Sequence, residues 1–174
     1  ARRLIGCEAA IAVNNNAAAC VLALTTFASG KETITSHGEL VEIGGSFRMP
    51  DVMSQAGTKL VAVGSTNRTR IADYQNALTE ETGLLLKVHR SNFAVVGFTE
   101  EAAMEDIATL AKAHGLPSFF DLGAGFLNRG VSGLTPIEGL MGETLLDDAI
   151  ATGADIVSFS GDKLFGGPQA GVLA

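Results

Sequence analysis

The chain has 174 residues, 47% of them hydrophobic and 18% charged, enough apolar content to bury the core of one domain, so disorder is not the default. Lys and Arg total 12 against 19 Asp and Glu, a formal net charge of -7, so there is no broad basic surface to gather nucleic-acid phosphates by counterion release. No apolar run is long enough to cross a bilayer and no signal-peptide pattern is present, so a cytoplasmic chain away from membranes is expected.

In chain order, Ala1-Arg2-Arg3-Leu4 opens without an initiator Met, and the first apolar β-type run is Glu8–Val13. The Asn14-Asn15-Asn16 turn then leads into a helix expected to begin near Ala17 and to stop by Gly30. Further strands are expected at Glu32–Thr35, Leu60–Val63 and Leu84–Val88. A helix is expected from about Glu100 to His114, with Thr99 as its cap, Glu100 and Glu101 at its positive end, and Ala103, Ile107, Leu110, Ala111 and His114 at helical spacing. Gly115 and Pro117 end it, and His114 is assigned no chemistry. Strands Ser118–Asp121 and Ile156–Ser160 follow. The final stretch Ala170–Ala174 reads as a strand with nothing after it to cover it, so a fragment of a longer protein is expected. Strands alternating with helices predict an α/β domain with a parallel sheet. Cys7 and Cys20 sit in no CxxC or Cys/His arrangement, so free thiols and no metal are expected.

Three features fall in loops after expected strands, where open α/β sheets place their ligands. At Val13-Asn14-Asn15-Asn16-Ala17, free backbone N–H groups at a helix start can hold a single phosphate; taken alone, Asn16 as a plain helix cap is the simpler reading. At Phe119-Phe120-Asp121-Leu122-Gly123, an apolar strand ends in a carboxylate and a turn. Such an Asp can keep a pyridinium nitrogen protonated, or simply cap the loop. In Ser158-Phe159-Ser160-Gly161-Asp162-Lys163-Leu164-Phe165-Gly166-Gly167, a strand delivers a lysine into a glycine-rich turn where its amine can be partly desolvated for imine formation. Neither GxGxxG nor GxxxxGK[ST] is present, which argues against a dinucleotide or nucleoside triphosphate.

The run from Ser158 to Gly171 closely resembles the cofactor-lysine segment of bacterial selenocysteine synthases, the L-seryl-tRNA(Sec) selenium transferases. Ala12–Ala19, Gly38–Asp51, Thr66–Thr69 and Lys87–Asn92 are similar to that family as well, so the resemblance covers essentially the whole chain. It implies the large domain of a fold-type-I enzyme dependent on pyridoxal 5'-phosphate (PLP), spanning residues 1–174, with an N-terminal tRNA-contacting domain and a C-terminal small domain outside it. Carried over residue by residue, it implies that Lys163 holds the cofactor as an imine, that Asp121 pairs with the pyridine nitrogen, and that Asn15, Asn16, Ala17 and Ser160 hold the phosphate. Asp162 resembles the family's catalytic carboxylate, and Asn92 is a secondary candidate for contact with the cofactor ring or substrate. His37 stands where relatives stack a residue on the ring, although the selenium transferases usually carry Arg there, and a surface histidine is an equal alternative.

The implied reaction converts L-seryl-tRNA(Sec) through an aminoacrylyl intermediate to L-selenocysteinyl-tRNA(Sec), with selenophosphate as selenium donor, in a homo-oligomer whose tRNA contacts lie mostly outside this segment. A related PLP-dependent lyase, such as an ammonia lyase acting on an amino acid or amino sugar acid, is the nearest alternative. Gly-Asp-Lys rather than Gly-Gly-Lys at Lys163 favours the selenium transferase. A non-enzymatic α/β scaffold would leave Asp121 and the glycine-rich lysine turn without purpose.

Overall fold

The structure is a computed structural model that describes residues 5–43, 47–127 and 143–174. Its centre is a seven-stranded sheet built from β1 (Ile11–Val13), β2 (Glu32–Ser36), β5 (Lys59–Val63), β6 (Thr82–Val88), β7 (Ser118–Gly123), β8 (Ile156–Ser160) and β9 (Gly171–Leu173), in the order β1-β9-β8-β7-β6-β2-β5. Strands β5, β2, β6, β7 and β8 are parallel. Strand β9 runs antiparallel to both β8 and β1. The expected mostly parallel sheet is thus present.

Helices cover both faces, as a parallel sheet requires. Successive side chains of a strand point to opposite sides, and β6 and β7 obey this rule. Leu84, Leu86 and Phe119 pack with helix α1 (Asn16–Ala28) and helix α2 (Met49–Gln55), through Cys20, Leu24, Met49 and Met53. Leu85, Phe120 and Leu122 pack on the other face with α3 (Ile71–Ala77), α4 (Met104–Ala113) and α5 (Leu146–Ala151). Asp121 shares its parity with Phe119 and therefore turns toward α1. A small hairpin of β3 (Glu42–Ile43) and β4 (Phe47–Arg48) precedes α2.

Several expectations need correction. The first strand is only Ile11–Val13, because β9 offers three residues to pair with it. The terminal apolar stretch is not uncovered: β9 sits inside the sheet with β1 on one side and β8 on the other. The helix expected from Glu100 begins at Met104 instead, with Ala103 at its N-cap and Glu105 and Asp106 in its first turn. Thr99 does not cap it, because the preceding segment is held extended by tertiary partners. The Glu100 N–H donates to the Asn67 carbonyl at 3.0 Å, and its carbonyl accepts from Thr69 at 2.9 Å. The Glu100 side chain pairs with Arg70 at 2.9 Å, and Glu101 pairs with Lys87 and Arg90. The buried face of α4 is Met104, Ile107, Ala108 and Ala111, while His114 is an exposed C-cap residue.

Candidate active site

The start of α1 forms one wall. Asn15, in extended conformation, is its N-cap: its side-chain oxygen accepts from the Ala18 N–H at 2.9 Å and its carbonyl accepts from the Ala19 N–H at 3.1 Å. The cap is therefore Asn15 rather than Asn16. The N–H groups of Asn16 and Ala17 have no acceptor inside the helix and sit at the positive end of its dipole.

Asp121 forms the floor. Strand β7 continues past it to Gly123, with a register irregularity against β8 between the two, so Asp121 lies within the strand and not at its end as expected. It is 3% exposed, and its Oδ1 accepts hydrogen bonds from Asn16 Nδ2 and from Ser158 Oγ, each at 2.8 Å. Its Oδ2 has no hydrogen bond among the described residues, and the residue lines the cleft. The Cys20 thiol lies 3.8 Å from Ser158 Oγ. Burial pushes that thiol well above its ordinary pKa, and the nearby Asp121 charge adds to the effect.

Strand β8 delivers the lysine. Ser160 ends the strand, and residues 161–170 return to β9. Their loop is pinned by hydrogen bonds from Gly161 N–H to the Ala170 carbonyl (2.8 Å), from Gly167 N–H to the Gly161 carbonyl (2.7 Å) and from Gly166 N–H to the Lys163 carbonyl (3.0 Å). A Cβ at Gly161 would come within 2.8 Å of the Pro168 carbonyl oxygen, so glycine is what lets the loop close. Phe165 anchors it by packing on the buried Phe159, ring centroids 5.3 Å apart. Asp162 and Lys163 are left exposed on this fixed turn, and Lys163 has no acidic partner among the described residues.

These three pieces enclose a cleft of about 290 Å³. Asn15, Asn16, Ala17, Asp121, Ser160, Asp162 and Lys163 all line it, joined by Ile43 and Phe47 of the hairpin and by Gln169. His37 and Asn92 do not. His37 is exposed on the short 3-10 turn after β2. Asn92 is exposed and donates to the Glu42 carbonyl at 3.0 Å, so it tethers β3. Among the described residues no His, Cys, Asp or Glu cluster could hold a metal. Ser158 and the apolar wall were missed from the sequence. The spacing of Ser158 and Ser160 on an otherwise apolar strand was the available signal for a polar, cleft-directed face. Nothing in Ile43 or Phe47 distinguishes them from core residues.

Chemically, the cleft offers a primary amine, an adjacent carboxylate, a buried carboxylate with one free oxygen, and a helix start suited to a phosphate. An aromatic cofactor bearing an aldehyde, a ring nitrogen and a phosphate fits that set: the buried orphan oxygen of Asn16 and the open Oδ2 of Asp121 mark polar positions left for a ligand.

Comparison with known proteins agrees. The family described as SelA, L-seryl-tRNA selenium transferase, matches residues 1–174. The L-seryl-tRNA(Sec) selenium transferase of Actinobacillus pleuropneumoniae is 54% identical over 172 residues, covering 99% of this chain and 36% of that protein. The chain thus spans about a third of the length of such relatives. Among solved structures, D-glucosaminate-6-phosphate ammonia-lyase superimposes with a TM-score of 0.80 at 23% identity, over 99% of this chain and 45% of that one. A serine palmitoyltransferase from S. paucimobilis with a bound PLP-myriocin aldimine gives 0.62 at 18% identity, over 99% and 40%. At these identities the structural likenesses establish the fold, that of fold-type-I PLP enzymes.

Proposed function

Because this chain belongs to the L-seryl-tRNA selenium transferase family, we propose that it is the cofactor-binding large domain of a PLP-dependent enzyme that converts L-seryl-tRNA(Sec) to L-selenocysteinyl-tRNA(Sec). The observation that carries this reading is the convergence of Lys163, Asp121 and the start of α1 on one cleft, beside 54% identity to an enzyme named for that reaction.

Bound there, PLP supplies an electron sink. Lys163 is the residue to hold it covalently, and Asp121 the one to keep a proton on its ring nitrogen. The N–H groups of Asn16 and Ala17, with Asn15 and Ser160, form the phosphate end. Asp162, exposed beside Lys163, is placed to take and return protons as the serine hydroxyl departs as water and selenium replaces it. Selenophosphate is the proposed donor. With a net charge of -7, this segment leaves most tRNA contacts to other regions of a longer, homo-oligomeric, cytoplasmic enzyme. No helix among the described residues is long and apolar enough to cross a membrane.

The test is turnover by the full-length enzyme of seryl-tRNA(Sec) with selenophosphate, followed as selenium incorporated into the aminoacyl ester, with Lys163→Ala as control. If the enzyme leaves seryl-tRNA(Sec) unchanged while consuming a free amino acid or amino sugar acid, the proposed substrate is wrong.

A further inference from the structure

Asn16 stands at the first turn of α1, where the resemblance makes it a phosphate ligand, yet its side chain points elsewhere. Its Nδ2 donates to Asp121 Oδ1 at 2.8 Å across a sequence separation of 105 residues. Only the amide nitrogen can donate, and the amide oxygen is buried without a partner. Turning the amide over would set its oxygen against a carboxylate oxygen, so the orientation is dictated by Asp121. The same Oδ1 receives the Ser158 hydroxyl proton at 2.8 Å. That hydroxyl has a single proton to give, so the Cys20 thiol, 3.8 Å away, is left to donate to it. Asp121 is thus approached from α1 and from β8 on one oxygen, while the other is left to the cleft.

We infer that Asn16 and Ser158 are positioning residues for Asp121, and that the side chain of Asn16 serves the ring-nitrogen end of the cofactor site rather than its phosphate end. Two donors on one oxygen of a buried carboxylate fix its plane, which directs Oδ2 to the ring nitrogen. Asn16 then joins the two ends of the site, its main chain belonging to the helix start and its side chain to the carboxylate. The inference rests on the proposed PLP site.

The experiment compares two ligands on the full-length protein stripped of cofactor: PLP, and pyridoxal, which has the same ring but no phosphate. Equilibrium binding is measured for wild type, Asn16→Ala and Ser158→Ala, together with the pH dependence of the bound ligand's absorption. Each variant is expected to weaken both ligands by a similar factor, about tenfold for loss of a hydrogen bond to a charged group, and to shift the pH profile of the absorption. If Asn16→Ala weakens PLP alone, the side chain serves the phosphate and the inference is overturned; unchanged binding of both ligands overturns it equally. Ser158→Ala leaves the helix start untouched and decides the matter if Asn16→Ala does not fold. Failure of the wild type to bind either ligand would defeat the proposed function itself, a different result from any of these.

Discussion

The main chain of Gly171 in β9 lies so close to the carbonyl of Asn15 that no Cβ could stand between them. One glycine therefore sets the distance between the central sheet and the cap of α1, and with it one wall of the cleft. Gly171→Ala is expected to cost about 1–3 kcal/mol, the usual range for forcing volume into a packed site, and to lower PLP retention. Denaturant unfolding and cofactor content, measured on the full-length protein, check both. Wild-type stability in the variant would show that the two segments separate freely.

Asp121 and Asp162 should fail in different ways when each is changed to Asn. Asp121→Asn removes the buried carboxylate proposed to face the ring nitrogen, so the absorption of bound cofactor should change and turnover should fall steeply. Asp162→Asn alters an exposed carboxylate beside Lys163. It should spare cofactor binding and slow selenium transfer by about 10²–10⁴, the range for loss of a general acid–base. Single-turnover rates and cofactor content from the same samples separate the two. Transfer at the wild-type rate would remove Asp162 from the chemistry.

Glu32 of β2 ties β5 and the turn before β6 to its own strand, accepting from Lys59 Nζ at 2.7 Å and from Thr79 Oγ1 at 2.8 Å. These bonds hold its carboxyl below the ordinary value, the Lys59 contact contributing most, and Lys59 is raised in turn. Because the folded-state value of Glu32 is the lower one, its contribution is present above the unfolded carboxylate range and is lost as pH falls through the folded value. Glu32→Gln should therefore destabilise at neutral pH and match wild type in acid. Urea midpoints at both conditions test this; a constant difference at all pH values would assign the effect to packing.

Cys20 is fully buried and its thiol is pushed well up, chiefly by burial. Since the thiolate is the reactive form, Cys20 in native protein should resist alkylation at neutral and mildly alkaline pH and react once denatured. Cys7 is partly exposed and should be labelled first. Peptide mapping after a timed iodoacetamide pulse distinguishes them, and equal labelling of both in native protein would contradict the closed core around α1.

Residues 1–174, expressed alone, should bind tRNA(Sec) weakly, because a net charge of -7 offers little counterion release. Filter binding over a salt series is the measurement. Tight binding with a steep salt dependence would place the tRNA site within this segment.

The sequence by itself determined the alternation of strands and helices, the stop of α4 at Gly115, and the glycine-rich lysine turn, since each depends on neighbours a few residues away. It also marked seven residues that line the cleft. Tertiary structure decided the rest. Glu100 and Glu101 look like the acidic start of a helix, but partners in β6 and in the segment before α3 hold them extended. The cap of α1 is Asn15 because its backbone is the extended one and its side-chain oxygen accepts from the Ala18 N–H, while the Asn16 amide donates to Asp121 instead. His37 and Asn92, placed by resemblance near the cofactor, stand outside the cleft lining. Local propensity cannot anticipate such outcomes: a buried carboxylate requires donors, and which residues supply them depends on how the sheet brings together segments that are distant in sequence.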